Sequence, residues 1–572
     1  MKIQSIRIQK FRSIDDVTLQ FSQVLALVGA NNAGKSHVLR ALNAFFNFEE
    51  EARSFEQQDH AFSSKARPKI TVVFCDIRES DNIPPEYISN EVLSIKLTYR
   101  WDRNTATYEA IVGSESSALN SEQFKSLTAC FKFIYVPIVR NSESSFSSED
   151  GIAYLLLSDI VKQQVAKRNT LQPIVNTLNK KLEKTVLKTA EERIMRFYPF
   201  KSSAEFRLHI ASKDLIDTII HDTTLEMIEN TQRNDIKNCG SGIQSAVYYA
   251  ISLATSMGSD ISYMVGIEEP EQNMHPQAQR KLIDSLSDTE QYPNTQFVIT
   301  THSTVIIDKL GHQSIALCRK SKGQTRDIIT TIKQIGDGFW DRYGIAEEKY
   351  TSFFEYRNSD FFFSKCVVIT ESTIDCRLMN YLLNKSGINT EEEGITFIPA
   401  DGEKSIKYPY AVAKELCIPF FCIVDRDVFQ PYTGEERKYS IGENGLPLFR
   451  SELKTSSSFC SLLSEDDKVS LLNSFIANKY NQTISVLDKY SIVCMRYAVE
   501  MDLLACPSYC ASFYDFLSIP EENRTPKYLA IERSNRIKKY EILCYAIDQH
   551  NLRNLPSSYR QIIRKAREII NQ

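Results

Sequence analysis

Three groups of residues have the types and spacing to act on phosphates. The first is Gly29-Ala-Asn31-Asn32-Ala-Gly34-Lys35-Ser36, a G-x-x-x-x-G-K-S loop between the apolar run Val24-Leu-Ala-Leu-Val28 and a helical pattern over residues 37–46. Such a loop turns backbone N–H groups toward a phosphate, the helix N-terminus adds its dipole, and Lys35 supplies a point charge. Ser36 is the predicted Mg²⁺ ligand. Gly29, Asn31, Asn32, Gly34, Lys35 and Ser36 are therefore the candidate ATP contacts.

The second group lies far downstream. Tyr263-Met-Val-Gly-Ile267 is an apolar strand pattern running into Glu268-Glu269-Pro270. Glu268 is placed to hold the metal shell, and Glu269 to orient or deprotonate an attacking water. A further strand pattern, Gln296-Phe-Val-Ile-Thr-Thr, exits at His302-Ser303, making His302 a candidate γ-phosphate contact. Ser241-Gly242-Ile-Gln244 opens an amphipathic helix, whose hydroxyl and N-terminus form another phosphate-facing device.

The third group is acidic. Cys366-Val-Val-Ile369 leads to Glu371, with Asp375 four residues later, and Pro419-Phe-Phe-Cys-Ile-Val424 ends in Asp425-Arg426-Asp427. In parallel sheets ligands sit beyond the carboxyl ends of strands, so these acids can converge on hard cations such as Mg²⁺ or Mn²⁺. Two such ions about 4 Å apart stabilise both oxygens of a phosphodiester displacement.

The elements that position these groups follow from periodicity. Ile3, Ile6 and Ile8, then Val17, Leu19 and Phe21 after a turn near Asp15-Asp16, read as strands, with more at 70–74, 92–99 and 131–139. Leu178, Leu182, Val186, Ala190 and Ile194 recur every four residues among lysines, which predicts an amphipathic helix and a helical insertion over 146–235. The expected domains are 1–145 and 236–345 for the two parts of an ATPase, and 360–572 for a second α/β domain with a helical C-terminal part. Ordinary composition over 572 residues, with 42% hydrophobic and 24% charged, excludes disordered and membrane-embedded classes. With no membrane-length apolar run and no signal-peptide core, the expected location is cytoplasmic. The 13 cysteines lie mostly in apolar runs, as small buried hydrophobes do; Cys506 and Cys510 lack a second pair at zinc spacing. A net charge of −4 gives no whole-chain field for nucleic acid, so DNA binding needs local patches, such as 533–539 and 560–567.

The order of phosphate loop, Ser-Gly-x-Gln, Glu-Glu-Pro and Thr-His-Ser resembles the ABC-type ATPases, in the branch of the structural-maintenance and RecF-like proteins. In that family the signature serine, here Ser241, contacts ATP held by the other subunit. Glu268 stands where the family commonly has Asp. The acids at 371–427 resemble the Toprim fold, with Ser372 in place of the usual Gly and Asp375 where nuclease relatives carry Glu. Joined in one chain, the two resemble the OLD (overcoming lysogenisation defect) family of nucleases.

That resemblance implies an α/β protein: an ABC-type head with a helical dimerisation insertion, then a Toprim domain. It implies an ATP-regulated, metal-dependent DNA endonuclease of phage defence, similar to Gabija or retron-associated effectors. The partners it implies are DNA, a second copy of the chain, and a reverse transcriptase with its msDNA or a helicase encoded nearby. It also implies a downstream acid and a C-terminal lysine, best matched by Asp502 and by Lys538 or Lys539. The metal set is then Glu371, Asp375, Asp425, Asp427 and Asp502. A RecF-like DNA clamp with an inactive Toprim domain is the alternative; a topoisomerase or primase lacks a marked tyrosine or a zinc module.

Overall fold

The computed structural model describes residues 1–53, 67–100, 105–138, 156, 183–198, 205–210, 223–229, 232–256, 261–322, 328–345, 359–400, 402–457 and 459–571. The chain divides into two compact units, Met1–Gln334 and Ile335–Gln572. Among the described residues no helix is long and apolar enough to cross a membrane.

Thirteen described strands of the first unit form one sheet. One half is antiparallel: Glu115–Leu119, Thr105–Val112, Val92–Arg100, Lys69–Cys75, Lys2–Phe11 and Ile14–Gln20 in spatial order, with Ile88–Ser89 beside Val92–Arg100. These strands alternate buried and exposed positions, the pattern of a sheet with one face on the core. The hairpin turn falls at Arg12-Ser13, ahead of the predicted Asp15-Asp16, both of which lie inside Ile14–Gln20. Ile328–Gln334 and Ile315–Lys322 lead into the other half, where Val24–Val28, Thr295–Thr301, Ser262–Glu268 and Phe131–Val136 run parallel. Every residue of Val24–Val28, Ser262–Glu268 and Thr295–Thr301 is buried. Each aliphatic side chain so removed from water contributes roughly 1.5–3 kcal/mol. Gly266 lets the helix Lys35–Phe46 approach this half closely, since a Cβ there would meet Phe133 at 2.8 Å and Leu39 at 3.0 Å.

The region expected to be a helical insertion is only partly so. Lys188–Phe197 is a helix that buries Ala190 and Ile194, with Val186 buried one turn earlier; Leu178 and Leu182 lie outside the described residues. Glu205–Ile210, Thr223–Glu229 and Gln232–Asp235, however, form an antiparallel three-stranded sheet. Phe206 and Leu208 pack inward, as do Leu225 and Met227. Their period is two, and the four-residue period upstream does not extend to them.

The second unit is built on four parallel strands in the order Ile395–Pro399, Cys366–Thr370, Phe420–Val424, Ile492–Cys494. The last lies in a stretch read as mostly helical; three residues are too few for a strand period to show. Cys366–Thr370 and Phe420–Val424 are buried throughout, the mark of strands covered on both faces. Val368, Phe421 and Val493 share a core with Leu378 and Leu382 of the helix Thr373–Lys385 and with Tyr559 and Ile562 of the C-terminal helix Ser557–Ile570.

Candidate functional site

In the first unit, strand register places three loops together. Val28 pairs with Thr301, and Thr300 with Glu268, so the exits carrying Gly29, His302 and Glu269 stand level at the carboxyl end of adjacent strands. Gly34 has φ +96°, and a Cβ there would come within 2.2 Å of Thr330 Oγ1, so both backbone and space require glycine. Thr330 Oγ1 donates to Ala33 O (3.0 Å) and lies 2.6 Å from Ser13 Oγ, which is 2.7 Å from His37 Nδ1. This bracing joins the phosphate loop to the strand Ile328–Gln334, about 300 residues away in sequence. Nothing in the local sequence points to Thr330 or Ser13.

Lys35 is buried, and its ammonium donates to Gly29 O (2.9 Å), Ala30 O (3.0 Å) and His302 Nε2 (2.6 Å). Burial holds the Lys35 pKa below its usual value; burial and the neighbouring Lys35 do the same to His302, favouring the neutral imidazole that can accept. Glu269 is held at φ +43°, a costly conformation of the kind found at functional turns, and its N–H donates to Thr300 O at 2.9 Å. Its carboxylate accepts from Gln272 Nε2 (2.5 Å) and lies 3.8 Å from His302 Nε2. Glu268 is buried beside Tyr135, whose hydroxyl is pushed up by burial and then by that charge.

Glu271, passed over in the sequence, accepts the His302 N–H at 2.6 Å, and burial raises its carboxyl. Its place in Glu268-Glu269-Pro-Glu271 is a signal that could have found it. Ser36 lies in the first turn of Lys35–Phe46, partly buried, and Asn31 and Asn32 are exposed on the loop. Ser241 begins the helix Ser241–Ser256; Gly242 packs on Asn273 O, and Gln244 Nε2 donates to Cys239 O at 2.9 Å.

In the second unit the acids gather at the same end of the smaller sheet. Glu371 follows Cys366–Thr370 and Asp425 follows Phe420–Val424, and the Asp425 N–H donates to Glu371 Oε1 at 3.1 Å. Asp425 Oδ1 accepts from Val499 N (3.0 Å), at the start of the helix Val499–Leu504. Burial, then the charges of Glu371, Glu500, Asp427 and Asp375, raise the Asp425 carboxyl well above the carboxylate range. Burial likewise raises Asp375, with Glu500 adding to it. Ser372 caps the helix Thr373–Lys385: its Oγ accepts from Asp375 N (3.2 Å) and donates to Asp375 Oδ2 (2.7 Å). The serine in place of glycine thus steadies this acid. Arg426 turns away from the cluster and is clamped between the Phe449 and Phe475 rings, donating to Gln430 Oε1 at 2.8 Å.

Two expectations change here. Asp502 is buried but closed off: Oδ1 accepts from Tyr497 N (2.7 Å), and Oδ2 from Arg496 N (2.9 Å) and from Ser558 Oγ. Burial pushes this carboxyl up to about 6. The acid of this helix that faces the cluster is Glu500, half a helical turn earlier, which is 5% exposed, lies near Asp425 and Asp375, and pairs with Arg437 (2.5 Å). Neither residue lies on a solvated face. Both candidate lysines are exposed, but Lys538 reaches the cluster, 3.9 Å from Glu500, whereas Lys539 makes no ion pair among the described residues.

Among the described residues no three His, Cys, Asp or Glu side chains are already closed into a metal-binding geometry. The donor set still fits a hard divalent cation, since the charges of four other carboxylates bear on Asp425 and their mutual repulsion is what such an ion relieves. Asp502→Ala is expected to leave two backbone N–H donors and the buried Ser558 hydroxyl without their acceptor and destabilise the protein by about 2–4 kcal/mol. Glu500→Gln keeps an acceptor for Arg437, so it should leave the metal-free melting temperature within a few degrees yet reduce the rise produced by Mn²⁺. Thermal melts of both variants with and without Mn²⁺ check the pair.

The chain matches the AAA ATPase domain family over residues 1–148 and 115–307, and the Overcoming lysogenization defect protein-like TOPRIM domain over 362–427. It is 23% identical over 454 residues to an OLD nuclease of Thermus scotoductus, covering 75% of this chain and 82% of that one. It is 22% identical over 460 residues to the Old nuclease of Escherichia phage P2, covering 71% and 74% respectively. It is also 22% identical over 336 residues to the endonuclease GajA of Bacillus cereus, covering 54% and 56%. With the ATPase model matched over more than half of its length and an OLD-like Toprim domain behind it, the chain belongs to the AAA ATPase domain family, as an OLD-family member with Gabija-like relatives.

Proposed function

We propose that this protein is an ATP-regulated, divalent-metal-dependent DNA endonuclease acting in anti-phage defence. The observation that carries the reading is the set of four acids, Glu371, Asp375, Asp427 and Glu500, gathered with Lys538 around the recessed carboxylate of Asp425. The OLD and GajA relatives, named as nucleases, support it. The five acids would hold Mg²⁺ or Mn²⁺, which supplies Lewis acidity and an activated water for in-line attack on a phosphodiester. Lys538 stands where it can offset negative charge on the phosphorus centre, while the backbone N–H groups of Asp425 and Val499 keep Glu371 and Asp425 oriented.

The nucleotide site of the first unit regulates rather than cuts. Lys35 and the loop N–H groups bind the β- and γ-phosphates, Ser36 and Glu268 are placed for Mg²⁺, Glu269 for the attacking water and His302 for the γ-phosphate. Ser241 would complete the site of a second copy, making ATP a bond between two heads.

Supercoiled plasmid incubated with Mg²⁺ or Mn²⁺, with and without ATP, tests the reading. Nicked or linear product is expected in metal, with a rate that changes on adding ATP. Intact plasmid under every metal and nucleotide condition, alongside ATP hydrolysis, would overturn it.

A further inference from the structure

The C-terminal helix Ser557–Ile570 buries one face, through Ser558, Tyr559, Gln561, Ile562 and Ala566. Its other face carries Arg560, Arg564 and Arg567, all exposed. At i, i+4 and i+7 they stand one above another along about 10 Å of helix. With Ile563, Glu568 and Asn571 they line an open cavity of 350 Å³. The chain's net charge is −4, yet three guanidinium groups here face a single carboxylate, Glu568, 3.4 Å from Arg564. Arg567 is held in place by donating to Ser386 O at 2.8 Å, and the Arg564 side chain remains 57% exposed. The neighbouring cation Lys565 turns to the flank and pairs with Asp488, so the stripe is arginine alone. Arginine's planar fork suits phosphate oxygens better than an ammonium does.

The helix is also tied to the acidic cluster at its beginning. Tyr559 Oη donates to Val499 O at 2.8 Å, and the Val499 N–H donates to Asp425 Oδ1 at 3.0 Å. Ser558 bonds Asp502 one residue earlier. The helix that carries the arginines is therefore anchored at its first turn to Val499 and Asp502, on the helix that also bears Glu500, and the row runs away from that anchor in a register fixed by those bonds. Four successive phosphates of one DNA strand, at about 3.4 Å of axial rise per step, span a comparable length.

We infer that Arg560, Arg564 and Arg567 form a rail for backbone phosphates that leads a DNA strand to the acidic cluster. The inference rests on the DNA-nuclease reading and names the surface that reading needs. Phosphate contacts position a nucleic acid without reading its sequence, so the rail contributes affinity and register.

The test measures binding of a fluorescent duplex of about 30 base pairs by the full chain across a salt titration. The Asp425→Asn background prevents the duplex from being consumed. Arg560→Gln/Arg564→Gln/Arg567→Gln is compared with a charge-matched control on the same unit, Arg450→Gln/Lys468→Gln/Lys489→Gln. The rail variant should bind about 10²-fold more weakly near 0.1 M salt, with the slope of log affinity against log salt shallower by about 2–3. The control should keep the parental slope. An unchanged slope in the rail variant, or an equal loss in both, would overturn the rail, as would a parent that binds no DNA. Cleavage by the otherwise wild-type protein separates the two claims. A rail variant that loses binding while the wild type never cuts plasmid sinks the nuclease reading alone. Cutting that survives with an unchanged slope sinks the rail alone.

Discussion

Asp425→Asn should abolish cleavage, by about 10³-fold or more, while making the metal-free protein more stable. Both effects come from one carboxylate. Its charge is opposed by burial and by Glu371, Glu500, Asp427 and Asp375, which together raise its pKa well above the usual range. A carboxyl raised on folding contributes stability that is complete below the ordinary carboxylate value and is lost as pH rises through the raised value. The metal-free wild type should therefore lose melting temperature toward alkaline pH, and Asp425→Asn should flatten that slope. Asn keeps the acceptor for Val499 N–H, so the local geometry survives. Mn²⁺ should stabilise the wild type increasingly as pH rises, because the cation and the proton compete for the same oxygens. It should do much less for the variant. The loss in rate corresponds to about 4 kcal/mol of transition-state stabilisation. Melts over pH with and without Mn²⁺, beside plasmid cleavage, check all three effects. Cleavage retained in Asp425→Asn, or a metal-free slope of the opposite sign, would be incompatible with a metal centre at this acid.

What could be read from the sequence was what sits at the ends of buried strands. Gly29, Glu269, His302, Glu371 and Asp425 each follow a run of apolar residues that needs no distant information to recognise, and register then brings their loops level. Choices within helices were harder to read. Glu500 and Asp502 are two positions apart, about 200° around the helix, and which one faces the cluster depends on caging by Arg496 N, Tyr497 N and Ser558, the last 56 residues away. The same holds for Lys538 against Lys539, adjacent residues that diverge at the start of the helix Tyr540–Asp548. The sheet at 205–235 was hidden by short strands following a strongly periodic helix, and Thr330 by a separation of 317 residues from Ser13.

Glu269→Gln should reduce ATP hydrolysis by roughly 10²–10³-fold while leaving nucleotide affinity within a few-fold. Gln preserves the length of the side chain, the strained turn and an oxygen for Gln272 Nε2, and removes only the capacity to take a proton. The loop that binds phosphate is built from other elements: Gly34 against Thr330, and Lys35 with its three acceptors. Binding and turnover therefore separate at this residue. Glu271 provides the internal comparison. Its carboxyl is raised by burial and is committed to the His302 N–H, so Glu271→Gln should disturb the placement of the imidazole and reduce turnover less. If ATP joins two heads through Ser241, the slow Glu269→Gln variant should hold ATP long enough for a dimer to appear in size-exclusion chromatography, one that Lys35→Ala does not form. Full turnover in Glu269→Gln with loss in Glu271→Gln would move the base to Glu271, a carboxylate the structure places near Lys35 and bonded to the His302 backbone N–H.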